Sequence, residues 1–91
     1  MKRLPALLIS LFLSTQVLAA VADGDKIAAA IRESFPRLAV DEVNSSPVPG
    51  IYEIVAGDRI LYYAPATGHL LAGNLISREG ENITSRRLQE V

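Results

Sequence analysis

The sequence predicts an α+β domain, with an N-terminal helix packed on a small antiparallel β-meander and a short C-terminal helix. Three observations predict it. Residues 23–35 repeat their apolar positions at helical spacing and stop at Pro36. Residues 50–77 alternate short runs of Ile, Val, Leu and Tyr with turn clusters at Ala56-Gly57-Asp58, Pro65-Ala66-Thr67-Gly68 and Gly73-Asn74. Residues 82–91 begin a second helix, with Leu88 and Val91 three apart.

Before the first helix, Met1-Lys2-Arg3 is a short positive start, and residues 4–13 are apolar. Ser14-Thr15-Gln16 follows as a polar shoulder, then small residues cluster at Val17-Leu18-Ala19-Ala20-Val21-Ala22. This is the layout of a secretory signal peptide, residues 1–19, cut after Ala19 or after Ala22. The apolar run is about half of the roughly 20 residues a spanning helix needs, and Pro5 interrupts it. The working domain is then residues 20–91. Removing 1–19 takes Lys2 and Arg3 and no acid, leaving seven basic against 10 acidic residues, and moves the formal net charge from −1 to −3. A mildly acidic domain has no electrostatic reason to bind nucleic acid or an anionic membrane. With no cysteine in the sequence, the domain has neither disulfide staples nor a thiol for exchange. So small a domain buries only about 60% of its unfolded surface, and association is a common remedy.

In the first helix, Asp23 is placed to act as N-cap, and Ile27, Ala30, Ile31 and Phe35 form one apolar stripe. Pro36 ends the helix because it lacks an N–H and disfavours the α conformation at Phe35. Residues 37–46, with Leu38, Val40 and Val43, read as a short first strand or as irregular extended chain. Pro47 and Pro49 cannot donate to a ladder, so 44–50 is expected to run along an edge or precede the first regular strand.

Within the meander, side chains alternate between faces. Ile51, Glu53 and Val55 oppose Tyr52 and Ile54; Ile60, Tyr62 and Ala64 oppose Leu61 and Tyr63. His69–Ala72 and 75–77 are shorter strands, separated at Gly73-Asn74 by a bulge or a bend. Neither face is cleanly polar, whereas a half-buried antiparallel sheet alternates apolar with polar. One helix covers one face. The other is expected to need a second subunit, a partner, a ligand or the 37–46 segment. After the polar turn 78–81, Thr84 is the better N-cap candidate for the last helix, which is too short to be stable alone.

No catalytic constellation emerges. His69 has no second histidine or cysteine to share a metal, and no cofactor is expected. Asp41-Glu42 and Glu79/Glu81 sit among turn residues as solvated charges, and Arg86-Arg87 reads as the solvated face of the last helix. Asn82-Ile83-Thr84 matches a glycosylation sequon, but helix capping accounts for Thr84. Tyr52, Tyr62 and Tyr63 are either core residues or a binding surface.

The series Pro49-Gly50-Ile51-Tyr52-Glu53-Ile54, Ile60-Leu61-Tyr62, Thr67-Gly68-His69-Leu70-Leu71-Ala72-Gly73, Asn82-Ile83-Thr84 and Arg87-Leu88 resembles, in order and spacing, the N-terminal domain of the DsbC/DsbG-type periplasmic disulfide isomerases. The resemblance implies a cystatin-like fold that pairs two protomers through strand edges and contributes an apolar cleft for misfolded proteins. It implies dimer contacts at Pro49, Gly50, Ile51, Tyr52 and Ile54, with Tyr52, Leu61 and Tyr63 as client-binding candidates. The family continues through a linker helix into a thioredoxin-like domain with Cys-x-x-Cys. This sequence reaches only the start of that linker and lacks cysteine, so the isomerase activity does not carry over. The expected function is a non-catalytic periplasmic dimerisation and protein-binding module. It would associate as a homodimer, with a full-length isomerase, or with unfolded clients. Two alternatives stand beside it: a truncated isomerase remnant, or a cystatin-like inhibitor using 46–50, which lacks the glutamine of that loop and in this reading precedes a strand instead of joining two.

Overall fold

The computed structural model describes residues 23–91, so the expected signal peptide and its cleavage sites lie outside the described residues. The fold is α+β: a helix, a four-stranded antiparallel sheet and a short C-terminal helix. Helix α1 covers residues 23–34 and ends one residue before Phe35-Pro36, as the proline requires. Asp23 is itself helical and so is not the cap. The buried stripe also differs by one residue. Ile27 and Ile31 are buried and Ala28 and Phe35 half-buried, whereas Ala30 is exposed. The helix therefore rests on its i, i+4 row.

The strands are β1 (Glu42–Ser45), β2 (Tyr52–Ala56), β3 (Arg59–Ala64) and β4 (His69–Ala72), and they neighbour one another in chain order. Residues 37–46 thus contain a true strand. Asp41 extends its ladder, its N–H donating to the Val55 carbonyl at 2.8 Å, and its carboxylate accepts from the Gly57 N–H at 2.7 Å. An acid that could have suggested catalysis clamps the next turn.

Residues 46–51 join β1 to β2, so this stretch lies between two strands, not ahead of the first. Val48-Pro49-Gly50-Ile51 is a tight turn, closed by the Ile51 N–H on the Val48 carbonyl at 3.1 Å. Gly50 has φ of 80°, the positive value that position i+2 of a type II turn demands, after proline at i+1. Ser46 Oγ donates to the Ile51 carbonyl at 2.7 Å and staples the turn's two ends. The β2–β3 hairpin turns on Gly57-Asp58, with Gly57 at φ of 64°, as a two-residue loop with glycine first requires.

Register decides the faces. Val43, Ile54, Leu61 and Ala72 align across the four strands, as do Ser45, Tyr52, Tyr63 and Leu70. This face meets α1: Ile27, Ile31, Ile54, Leu61 and Tyr63 form the core, with Phe35, Leu38, Val40, Val43, Tyr52 and Leu70 packed against it. Each large side chain so buried contributes about 1.5–3 kcal/mol.

The second face carries Glu53, Val55, Ile60 and Tyr62, all buried. Helix α2 (Ile83–Glu90) lies against it, a cover that was not among those expected for that face: a second subunit, a partner, a ligand or the 37–46 segment. Past Gly73-Asn74 the expected strand at 75–77 is reduced to a single bridge between Ile76 and Asn82. Asn82, not Thr84, caps α2, its Oδ1 accepting from the Ser85 N–H at 3.0 Å. Thr84 is buried and bonds elsewhere.

Candidate functional site

Two polar pins hold α2 to the sheet. The Tyr62 hydroxyl hydrogen-bonds Thr84 Oγ1, which also accepts from the Leu75 N–H at 2.8 Å. Glu53, 5% exposed in the middle of β2, receives a two-pronged Arg87 guanidinium at 2.9 Å on each oxygen and the Asn44 amide at 3.1 Å. Arg87 bonds Glu90 as well, at 2.7 Å, and Arg86 pairs with Glu81 at 2.8 Å. The Arg86-Arg87 pair is therefore not simply a solvated face: Arg87 neutralises a buried carboxylate. The guanidinium bonds hold the Glu53 carboxyl below its usual range, against an opposing push from burial, with Asn44 and the Arg87 charge adding to the lowering.

Nothing near these pins resembles a reaction centre. Glu53 has no nucleophile beside it and its lone pairs are spent on Arg87 and Asn44. His69 is exposed, with Nδ1 at 2.8 Å from Thr67 Oγ1. Among the described residues no group of three or more His, Asp or Glu side chains could hold a metal ion, and no helix is long and apolar enough to cross a membrane. The pins are structural. Thr84→Val keeps the shape of the side chain but leaves the Tyr62 hydroxyl and the Leu75 N–H without a partner. It should cost about 2 kcal/mol in urea unfolding, while Thr84→Ser should cost under about 1 kcal/mol.

The accessible features gather at β4. Among the described residues this strand pairs only with β3, which leaves its outer edge free, as is the outer edge of β1. The two edges differ in chemistry. β1 presents Glu42, Asn44 and Ser45, a charged and polar edge of the kind that resists strand addition. β4 reads His-Leu-Leu-Ala, and Leu71 is 47% exposed. An apolar hollow flanks β4 on each face. On the α1 side, a cleft of about 540 Å³ is lined by Phe35, Leu38, Leu61, Leu70 and Ala72 with Arg37 and Arg59. On the α2 side, one of about 280 Å³ lies among Val48, Ile51, Tyr62, Leu71 and Leu75.

A search of protein-family models matches residues 18–85 to the disulfide bond isomerase protein N-terminal domain. The chain belongs to this family. Comparisons with curated proteins and with solved structures gave no match. The match covers most of the described domain, from α1 into α2, and identifies a module related to disulfide isomerases.

Within this isomerase N-terminal domain the expected contact residues separate. Pro49 and Gly50 are exposed at the β1–β2 turn and Ile51 is half-buried beside them. Tyr52 is half-buried, and Ile54 is fully buried at 0% exposure. Both lie on β2, whose two edges are taken by β1 and β3, so neither offers backbone to a second copy. Leu61 and Tyr63 belong to the α1-facing core, with Leu61 also flooring the larger cleft. The Glu53–Arg87 pair escaped sequence reasoning. Its signal was one charged residue set among buried strand positions, which calls for a cation somewhere in the chain.

Proposed function

We propose that the chain is a non-catalytic, periplasmic dimerisation and protein-binding module of disulfide isomerase systems. It pairs with a second copy, or with the same domain of a full-length isomerase, and holds apolar segments of unfolded proteins. The observation that carries this reading is the free apolar edge of β4 between two apolar hollows. A second β4 laid antiparallel against it would satisfy the open backbone groups and extend the sheet. Side chains of the added strand would alternate between the hollows. Pro49, Gly50 and Ile51, next to the smaller hollow, sit at the rim of such a contact. With no cysteine in its 91 residues the chain has no thiolate to attack a disulfide, so its contribution is association. The signal-peptide layout expected of residues 1–19, with a cut after Ala19 or Ala22, and the family together support a periplasmic location.

Sedimentation velocity at micromolar concentration tests the pairing. The expected result is a dimer that Leu71→Lys converts to a monomer of unchanged circular dichroism, because a lysine on an edge strand opposes strand addition. A wild-type chain that stays monomeric and folded would remove the pairing reading.

A further inference from the structure

The larger cleft differs from the smaller in one respect. Two cations, Arg37 and Arg59, share its apolar lining of Phe35, Leu38, Leu61 and Leu70. Both are exposed, and neither takes part in an ion pair among the described residues, whereas Arg86 and Arg87 both have acid partners. Alternation along β3 places Arg59 on the side of Leu61 and Tyr63, and Arg37 follows the proline that stops α1, so the two approach the cleft from different elements. We infer that this cleft takes an apolar polypeptide segment that carries a carboxylate, an Asp or Glu set among large apolar side chains. This rests on the reading of the chain as a binder of unfolded proteins and narrows which segments it holds.

The chemistry supports that occupant. Guanidinium forks match carboxylate geometry with two parallel hydrogen bonds, and they are weakly hydrated, so they keep this affinity beside apolar surface. The volume falls in the roughly 300–1,000 Å³ range of ligand clefts, which suits a few side chains and not a folded partner. The C-terminal end of α1 lies at the same cleft and brings a partial negative charge of about half a unit, which two full cations exceed. A segment carrying lysine would add a third cation to two unpaired ones.

Fluorescence anisotropy with the full chain and a labelled peptide, Gly-Leu-Phe-Glu-Leu-Phe-Gly, tests this beside two copies carrying Gln or Lys in place of Glu. The Glu peptide should bind about tenfold more tightly than the Lys peptide at low salt, with Gln between them. The gap should narrow at high salt. The double variant Arg37→Glu/Arg59→Glu, changing two exposed side chains, should reverse the order while circular dichroism stays that of the wild type. Equal affinity for all three peptides, or a preference that survives the reversal, overturns the inference and leaves the client-binding reading in place. No binding of any peptide overturns both.

Discussion

Ile54→Ala should lower the unfolding free energy by roughly 3–4 kcal/mol, read from urea denaturation followed by circular dichroism. Ile54 sits at the centre of the layer between α1 and the sheet. It is 0% exposed, pairs with Val43 on one side and Leu61 on the other, and lies in the core with Ile31, also at 0%. Truncation removes three carbons that no neighbour is free to replace, so the loss combines transfer energy with a residual cavity. The domain is small, and at about 0.05–0.15 kcal/mol per residue its whole stability is only a few kcal/mol to about 10. Ile54→Ala should therefore leave a measurable fraction unfolded at 25 °C. Ile54→Val, which removes one carbon, should cost about 1 kcal/mol. A cost for Ile54→Ala below about 1 kcal/mol would show that this position is not the packing centre.

Arg87→Met should have the next largest effect, lowering the thermal midpoint by about 10 °C. The reason is not the loss of attraction alone. Without the guanidinium, Glu53 remains as a carboxylate in the middle of a sheet face, with Asn44 as its one other partner. Breaking a buried pair from one side strands the other charge, and that is costlier than replacing both partners. Glu53→Gln/Arg87→Met should accordingly be more stable than Arg87→Met. If the double variant is the less stable of the two, the stranded-charge account fails.

The same pair sets a pH window. The folded Glu53 carboxyl titrates below its unfolded value because the Arg87 hydrogen bonds outweigh burial. A carboxyl with a depressed folded pKa contributes stability that is fully present above the unfolded value, about 4.3 for Glu. That contribution is lost as pH falls from there through the lowered folded value. Stability of the wild type should fall between about pH 4.3 and the acid limit more steeply than that of Glu53→Gln, which has no proton to gain there. Above that window the two curves should run parallel.

Much of this fold was legible in the residues. Pro36 stops α1 and Gly57-Asp58 closes a two-residue hairpin, because each demands a backbone conformation that few other residues supply. The face partition of β2 and β3 follows from alternation alone, and the register of the folded sheet agrees with it. What was not legible depends on contacts far apart in the chain. Glu53 and Arg87 are 34 residues apart, and nothing local to Arg87 distinguishes it from Arg86, which stays at the surface with Glu81. Thr84 had the chemistry of a cap, yet Asn82 took that role once the Ile76–Asn82 bridge set where α2 begins.

The 50–77 segment by itself determined a meander with two apolar faces, since pattern and turn chemistry act over a few residues. Only the tertiary structure decided what covers them. α1 takes the face of Ile54 and Leu61, α2 is pinned to the face of Glu53 and Tyr62, and β4 keeps apolar surface open at Leu71 between two hollows. The physical reason is that burial is a property of the assembled layers. A side chain's polarity shows that it needs cover, and only the packed chain shows which partner provides it.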